Sequence, residues 1–177
     1  MTLLVFELER MPTPCGELLL ASDCDGSLRA LDWIDHEPRM RELLRQQYSN
    51  CAVRLTAVQR SASRARGVLE AYFAGDLAAI DTLTVRTGGT PFQRQVWATL
   101  RTIPPGTTLS YGALAARLNR PAATRAVGMA NGANPVSIVV PCHRVIGADG
   151  SLTGYGGGLP RKRWLLEHEG ARLARVA

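Results

Sequence analysis

The chain has 177 residues, a formal net charge of +6 at pH 7 and four cysteines. This length is enough to bury a core in one domain or in two small ones. No apolar run approaches the length of a membrane-spanning helix, and the short apolar start is followed by Glu7 without the basic residues of a secretory signal. The cysteines form no CxxC pair, which disfavours a disulfide framework or a zinc ribbon. We therefore expect a cytoplasmic protein with reduced thiols, no metal and no cofactor.

Charge is distributed unevenly along the chain. Residues 1–89 hold 10 Lys and Arg against 12 Asp and Glu, a net charge of −2, whereas residues 90–177 hold 11 against 3, a net charge of +8. Such a basic half is typical of a surface that binds a polyanion such as nucleic acid. A solvated basic face without a partner is the alternative interpretation.

The first half, residues 1–89, predicts a small α+β domain that ends in a linker. Asp25-Gly26 is a strong hairpin signal, and we expect a meander of three short strands at residues 3–8, 17–21 and 27–33. Helices are predicted over residues 38–47 and 57–74, the second with Gly75 as its C-cap.

The second half, residues 90–177, predicts a mostly helical domain. Thr90 is the expected N-cap of a helix that stops before Pro104. Two short helices then follow, over residues 111–118 and 122–130. Their tight turn predicts a helix-turn-helix, although many helical hairpins share this pattern. The second of these helices is rich in alanine, so it can approach a nucleic-acid backbone closely.

An apolar run leads into Pro141-Cys142-His143-Arg144. A thiol is a useful nucleophile only as the thiolate, so a reactive cysteine needs a nearby base or positive charge. Cys142 has candidates for both as sequence neighbours. The alternative is that Cys142 is a small buried core residue.

Six motifs in this order resemble those of the O6-alkylguanine-DNA alkyltransferases, most closely the stand-alone bacterial form. They are Ser110-Tyr111-Gly112, Arg125-Ala126-Val127-Gly128, Ala130-Asn131-Gly132-Ala133-Asn134-Pro135, Pro141-Cys142-His143-Arg144-Val145-Ile146-Gly147, Leu152-Thr153-Gly154-Tyr155 and Leu165-Leu166-Glu167-His168-Glu169-Gly170. The likeness is strong over residues 90–170 and weaker in the first half.

The resemblance implies a fold and a reaction. The first domain would be an RNase H-like three-stranded antiparallel sheet with helices, and the second would be winged-helix-like. The alkyl group of O6-alkylguanine, and also of O4-alkylthymine, would pass irreversibly from a flipped-out nucleotide of double-stranded DNA to Cys142. Each molecule would act once. A monomer is expected, with cooperative binding along DNA left open.

The resemblance also assigns catalytic roles. Glu169 would hold His143, which would take the proton of Cys142 through a water molecule. Tyr111 would protonate the guanine at N3, and Asn134 would brace the turn before Cys142.

Four residues of the helix-turn-helix are assigned to DNA. Arg125 would enter the base stack in place of the extruded base, and Tyr111 would crowd the 3′ phosphate. Ala126 lies beside them on the recognition helix. Thr124 stands where many relatives have alanine, which would slightly alter the fit to the groove.

The resemblance places five residues in the substrate pocket: Val145, Tyr155, Gly156, Gly157 and Ser137. The carbonyls of Cys142 and Val145 would accept the exocyclic amine of guanine, and the N–H of Gly156 would meet O6. Ser137 and Gly157 replace a proline and a tryptophan of some relatives, so a roomy pocket is expected.

Other residues are interpreted as structural. We expect Lys162 to be solvated or near DNA, His168 to lie on the surface and Arg144 to brace loops or meet phosphate. The three remaining cysteines are expected to be structural. Some members of the family that the chain resembles carry a zinc ion in the N-terminal unit, but no full set of zinc ligands can be matched in this sequence, so a structural zinc stays open.

Three other functions stay open from the sequence. The first is a lesion-binding module without repair activity, which the presence of Cys142 disfavours. A cysteine hydrolase could use Cys142, His143 and Glu169, but it would turn over repeatedly. A helix-turn-helix regulator would not need the cysteine motif.

Overall fold

Residues 2–59 and 63–173 are described by a computed structural model. The strands are β1 (Thr2–Thr13), β2 (Gly16–Ser22), β3 (Leu28–Trp33), β4 (Cys51–Ala57), β5 (Leu109–Ser110) and β6 (Val145–Ile146). The α-helices are α1 (Glu37–Gln47), α2 (Arg64–Phe73), α3 (Pro91–Leu100), α4 (Tyr111–Arg117), α5 (Thr124–Gly132) and α6 (Leu159–His168). Short 3-10 helices lie at Ile34–His36, Ala79–Thr82, Pro121–Ala123 and Cys142–Arg144.

The chain divides into two units. The first runs to Thr90 and also includes Pro135–Val139, and the second comprises Pro91–Asn134 and the residues from Val140 onward. The predicted α+β class, with a small sheet early in the chain and a helical part after it, is confirmed. The likeness to RNase H and winged-helix folds stays a prediction.

The sheet of the first unit has the strand order β3-β2-β1-β4. The three predicted strands are present and pair antiparallel, but β4 was not predicted. It pairs parallel to β1, with Val53 opposite Leu4 and Leu55 opposite Phe6. The prediction of three antiparallel strands was therefore wrong in the number of strands and in the pairing at this edge. A parallel neighbour that is distant in sequence leaves no turn signal in the chain.

The prediction of a helix over residues 57–74 was wrong about where the helix starts. Ala57 ends β4, and α2 begins at Arg64, while residues 60–62 lie outside the described residues. Ser63 is the N-cap of α2, and its hydroxyl accepts from the backbone N–H of Arg66. A side-chain cap of this kind fixes where a helix can begin.

One face of the sheet packs on α1. Met40 and Leu44, one turn apart on α1, are buried against Phe6 and Leu8 of β1. The apolar side chains of α1 recur every four residues and those of β1 every two, so each element turns one apolar face to this core.

Residues 135–139, predicted to belong to the second domain, join the first unit. The N–H of Leu31 in β3 donates to the Pro135 carbonyl at 2.9 Å, and the N–H of Ser137 donates to the Leu31 carbonyl at 2.8 Å. The segment thus extends the edge of the sheet beside β3.

The second unit packs α3, α4 and α5 around a small core. Trp97 of α3 is buried, and its indole N–H donates to the Ala130 carbonyl of α5 at 2.8 Å. Ser110 caps α4, as predicted, by accepting from the N–H of Ala113. The strand pair β5 and β6 is parallel, with Leu109 opposite Val145. Within the described ranges, none of the helices is long and apolar enough to cross a membrane.

Gly88 offers a test of packing in the first unit. A Cβ atom at this position would lie 2.5 Å from the Gln47 carbonyl oxygen, so the backbone would have to move. We expect Gly88→Ala to lower the free energy of unfolding by about 1–3 kcal/mol in urea denaturation. Gly67→Ala is the matched control, because a Cβ there meets nothing within 4 Å inside α2. Gly67→Ala should raise the free energy of unfolding by about 0.5–1 kcal/mol, because alanine favours a helix more than glycine does. Equal effects of the two changes would contradict this packing.

Candidate active site

Cys142, His143 and Arg144 form a single turn of 3-10 helix after Pro141. The turn is held by two backbone hydrogen bonds, from the N–H of Cys142 to the Val140 carbonyl at 2.8 Å and from the N–H of Arg144 to the Pro141 carbonyl at 3.0 Å. All three side chains are buried. Because successive residues of a tight turn project in different directions, the three side chains can meet different neighbours.

Glu169 follows the last residue of α6 and binds two consecutive side chains of this turn. Its Oε1 accepts from His143 Nε2 at 3.0 Å and from an Arg144 terminal nitrogen at 2.7 Å, while Oε2 accepts from Arg144 Nε at 2.8 Å. The Arg144 guanidinium also donates to the Ile103 carbonyl. This two-point pairing of guanidinium with carboxylate fixes the orientation of the carboxylate as well as its charge.

The charge states follow from these contacts. Burial alone would raise the pKa of Glu169, but His143 and Arg144 outweigh it and hold that pKa well below its usual range. Glu169 is therefore ionised and can only accept hydrogen bonds, so His143 Nε2 carries a proton. Burial lowers the pKa of His143, although the charge of Glu169 opposes the change. A neutral His143 keeps an unshared electron pair on Nδ1.

His143 Nδ1 is thus the acceptor end of the ring. It is buried and finds no hydrogen-bond partner within residues 2–59 and 63–173. Buried polar atoms in folded proteins are nearly always paired with protein or with water. This nitrogen is consequently placed to take part in proton transfer.

Asn134 forms a hydrogen bond with the Cys142 thiol. Its Nδ2 donates to the Val140 carbonyl at 2.8 Å and to Cys142 Sγ at 3.1 Å. A hydrogen bond donated to sulfur favours the thiolate over the thiol. The hydrogen bond to the Val140 carbonyl holds the carboxamide in place. Asn134 therefore both braces the turn and donates to the sulfur atom.

Cys142 opens onto a cavity of about 250 Å³ in the second unit. The lining residues are Tyr111, Gly128, Asn131, Gly132, Cys142, Gly154, Tyr155 and Gly156. The Tyr111 hydroxyl donates to the Thr153 carbonyl at 3.3 Å. Burial raises the pKa of Tyr111, an effect that this hydrogen bond opposes and the nearby Cys142 reinforces. Tyr111 is therefore a protonated phenol at neutral pH and can donate.

The predicted site residues fall into four groups. Cys142, Tyr111, Tyr155 and Gly156 line the cavity, and His143, Glu169 and Asn134 are buried in contact with the cysteine turn or with Cys142 itself. Three others, Thr124, Arg125 and Ala126, are exposed on α5.

The other predicted pocket residues, Val145, Gly157 and Ser137, are buried and are not among the lining residues of the cavity. The Val145 carbonyl accepts from Lys162 Nζ, and Ser137 belongs to the first unit. The roomy pocket expected from Ser137 and Gly157 stays a prediction.

Lys162 was interpreted wrongly. It is fully buried, and its Nζ donates to the carbonyls of Val145 at 2.6 Å, Thr153 at 2.6 Å and Gly154 at 3.2 Å. Burial lowers the pKa of Lys162 to about 8, an effect that the nearby Cys142 opposes. Its three N–H groups fix the segment that carries one wall of the cavity.

The sequence held a signal for Lys162. Its position precedes Leu165, Leu166 and Glu169 by three, four and seven residues, which is the spacing of a buried helix face. The neighbouring cations Arg161 and Arg163 obscured that pattern.

Comparison with known proteins identifies the family of the chain. Residues 91–171 match the family described as "6-O-methylguanine DNA methyltransferase, DNA binding domain". Over 169 residues the chain is 55% identical to the methylated-DNA–protein-cysteine methyltransferase of Salmonella typhimurium, covering 93% of this chain and 96% of that protein. The chain belongs to the methylated-DNA–protein-cysteine methyltransferase family. The resemblance inferred from the six motifs is thereby confirmed.

Solved structures of the family have the same fold. The crystal structure of a variant of Mycobacterium tuberculosis OGT is similar with a TM-score of 0.73 and 42% identity, covering 96% of this chain and 95% of that one. The crystal structure of M. tuberculosis OGT in complex with DNA is similar with a TM-score of 0.71 and 41% identity, over 93% and 92% of the two chains. This methyltransferase-family chain therefore matches both structures over nearly its whole length.

Glu169→Gln should destabilise this family member most at neutral pH. The folded pKa of Glu169 lies below its ordinary value of 4.5, so the folded state binds fewer protons than the unfolded state in acid. The carboxylate thus stabilises the fold above about pH 4.5, and this contribution is lost as the pH falls through the folded pKa. We expect the variant to lose about 3 kcal/mol of unfolding free energy at pH 7 and progressively less below pH 4.5.

Urea denaturation at a series of pH values measures this difference. Glu167→Gln is the control, because Glu167 lies on α6 but is exposed and meets Arg163 only at 3.9 Å. It should change the unfolding free energy by about 0.5 kcal/mol or less at any pH. A wild-type advantage over Glu169→Gln that is the same at pH 7 and pH 3 would contradict the assigned pKa direction.

Proposed function

We propose that this protein repairs alkylated DNA directly, by transferring the alkyl group of O6-alkylguanine to Sγ of Cys142. The observation that carries the proposal is the placement of Cys142. Its sulfur faces a cavity and accepts from Asn134, and the next residue, His143, is fixed by Glu169. Family membership supports the same reaction, since the curated relatives are named for methyl transfer from DNA to a protein cysteine.

The reaction begins with deprotonation of the thiol. His143 Nδ1 takes the Cys142 proton through a bridging water molecule, and Glu169 stabilises the resulting imidazolium. Asn134 keeps its hydrogen bond to the sulfur and so favours the thiolate. The Glu169 carboxylate thus orients the His143 imidazole, which in turn deprotonates the Cys142 thiol.

Alkyl transfer is a displacement at carbon. The sulfur–carbon bond forms as the carbon–O6 bond breaks, and the electron pair of that bond stays with the guanine. Tyr111 donates its phenolic proton toward N3 and so prevents the base from leaving as an anion. The product on Cys142 is a thioether, which no neighbouring group can return to the thiol. Each protein molecule therefore reacts once.

Access to the alkyl group requires an extruded nucleotide. A base stacked inside a duplex cannot reach a buried sulfur atom in a cavity of the protein, so the damaged nucleotide must leave the stack. The exposed residues of α5 suit close contact with DNA, because Arg125 carries a long cation while Ala126 and Thr124 are small. We assign Arg125 to the space that the flipped base leaves. The substrate is double-stranded DNA, O4-alkylthymine is a second substrate, and the protein acts as a cytoplasmic monomer.

The alternatives have less support. A lesion-binding module needs no nucleophile, yet Cys142 faces the cavity and its neighbour His143 is fixed by Glu169. A cysteine hydrolase would release its product and turn over repeatedly, whereas the relatives are named for transfer to a protein cysteine. A transcriptional regulator needs neither a nucleophilic cysteine nor a histidine fixed beside it.

Intact-protein mass spectrometry tests the reaction. Incubation with a duplex that contains O6-methylguanine should add one methyl group per protein molecule, located on Cys142, and leave unmodified guanine in the DNA. Cys142→Ser should gain no mass, although Cys15, Cys24 and Cys51 remain in that variant. Repair of more than one equivalent of DNA, or methylation of another cysteine, would contradict the proposal.

Arg125→Ala separates base flipping from chemistry. We expect the variant to lose about ten- to hundredfold in transfer rate on duplex DNA, because extrusion of a base costs a few kcal/mol that the inserted side chain offsets. Reaction with free O6-benzylguanine should be nearly unchanged, since no base is flipped. Single-turnover kinetics on both substrates measure the difference.

Arg117→Ala is the matched control, because it removes the same charge from an exposed position on α4. It should weaken duplex binding modestly and in a salt-dependent way. Equal losses of Arg125→Ala on the duplex and the free base would contradict the role in flipping.

A further inference from the structure

Asn131 is a buried polar residue that the proposed mechanism does not use. It lies on α5, is 4% exposed and lines the cavity together with Cys142. Its side-chain oxygen Oδ1 is buried and has no hydrogen-bond partner in the described ranges of the chain. A buried carbonyl oxygen without a donor costs free energy, so its retention in a cavity wall points to a ligand that supplies the donor.

The local packing explains why Asn131 faces the cavity. Val127 and Ala130 lie on the buried face of α5, and Asn131 continues that face. One turn earlier lies Gly128, where a Cβ would sit 3.8 Å from the Tyr111 ring. The absence of a side chain there leaves the cavity open between α5 and Tyr111.

None of the other lining residues, Tyr155 included, donates a hydrogen bond to this oxygen. Four of the eight lining residues are glycines. The Cys142 sulfur already accepts from Asn134, and the Tyr111 hydroxyl donates to the Thr153 carbonyl. The Asn131 oxygen is an acceptor only. A ligand that satisfies it must therefore carry an N–H or O–H group.

The two alkylated bases, O6-alkylguanine and O4-alkylthymine, differ in the hydrogen-bond donors that they can offer to this oxygen. Alkylation at O6 removes the proton from N1 of guanine, so the exocyclic amine is the remaining donor on that base. Alkylation at O4 removes the proton from N3 of thymine, and that base then has no donor. An unpaired acceptor in the cavity wall therefore complements O6-alkylguanine and leaves O4-alkylthymine the poorer of the two substrates.

We propose that Asn131 is a specificity-determining residue whose Oδ1 accepts a hydrogen bond from the exocyclic amine of O6-alkylguanine. The assignment rests on the proposed function. The amine has two N–H groups, so this contact leaves one of them for the Cys142 carbonyl. The Val145 carbonyl accepts from Lys162, and Val145 does not line the cavity. A site that hydrogen-bonds a substrate amine discriminates against an analogue that lacks it.

A double-mutant cycle tests the contact. Duplexes contain either O6-methylguanine or O6-methylhypoxanthine, which is the same base without the exocyclic amine. The rate of Cys142 methylation is measured on both for the wild type, Asn131→Leu and Asn131→Ala. Differences in duplex stability between the two DNAs cancel, because every protein reacts with the same pair. Loss of folded protein cancels as well, because both duplexes meet the same preparation.

The wild type should methylate Cys142 faster with the amine-bearing base. Both variants should lower this preference by about two- to tenfold, the equivalent of one hydrogen bond. Asn131→Asp keeps an oxygen in place and should retain the preference. Met129→Ala is the control, since Met129 is 73% exposed on the same helix and does not line the cavity. Its preference should equal that of the wild type.

Two results would overturn the assignment. One is an unchanged rate on each duplex in Asn131→Leu and Asn131→Ala, and the other is an equal loss of rate on both duplexes, which would leave the preference unchanged and make Asn131 a packing residue. Failure of the wild type to transfer a methyl group from O6-methylguanine would instead contradict the proposed function itself. The two failures are therefore distinguishable in one set of measurements.

Discussion

The buried carboxylate of Glu169 joins three parts of the second unit. It accepts from His143 and Arg144 in the cysteine turn, it ends α6, and through Arg144 it reaches the carbonyl of Ile103 after α3. The loop that follows Ile103 approaches closely at Gly106, where a Cβ would lie 2.9 Å from the Glu169 carbonyl oxygen. Gly106 also has a φ of 75°, a conformation that favours glycine. The position of the nucleophile thus depends on this side chain together with Asn134, which hydrogen-bonds to the sulfur.

Burying the charges of Glu169 and Arg144 costs free energy, and a gain in stability alone does not explain why they are buried. A buried ion pair is often no more stabilising than apolar residues of the same volume, because desolvation offsets the attraction. What the pair provides here is a defined protonation state. Ionised Glu169 fixes the proton of His143 on Nε2, and burial keeps the ring neutral with Nδ1 as acceptor. Lys162 acts comparably, since its ammonium group orders three backbone carbonyls beside the cavity.

Much of this architecture could be predicted from local patterns. The strands of the first half alternate apolar residues, Ser110 caps α4, and the six motifs identify the cysteine turn together with Tyr111 and Glu169. Local patterns failed where distant partners decide the structure. Strand β4 was missed because its parallel neighbour β1 is far away in sequence.

The same limit applies to individual side chains. Lys162 was taken for a solvated cation because the backbone carbonyls that bind it come from other segments. Asn131 belongs to a recognised motif, yet its unpaired oxygen becomes apparent only when the cavity is formed. Residues 135–139 pair with β3, and nothing in their own composition points to that partner.

We infer that Glu169 acts on Cys142 through His143 rather than on DNA binding. Two measurements on Glu169→Gln separate these roles: the single-turnover rate of methyl transfer at saturating O6-methylguanine duplex and the dissociation constant for that duplex. A rate about a hundredfold below that of the wild type with an unchanged dissociation constant is the predicted result. A wild-type rate in a folded variant, or a loss confined to the dissociation constant, would contradict it.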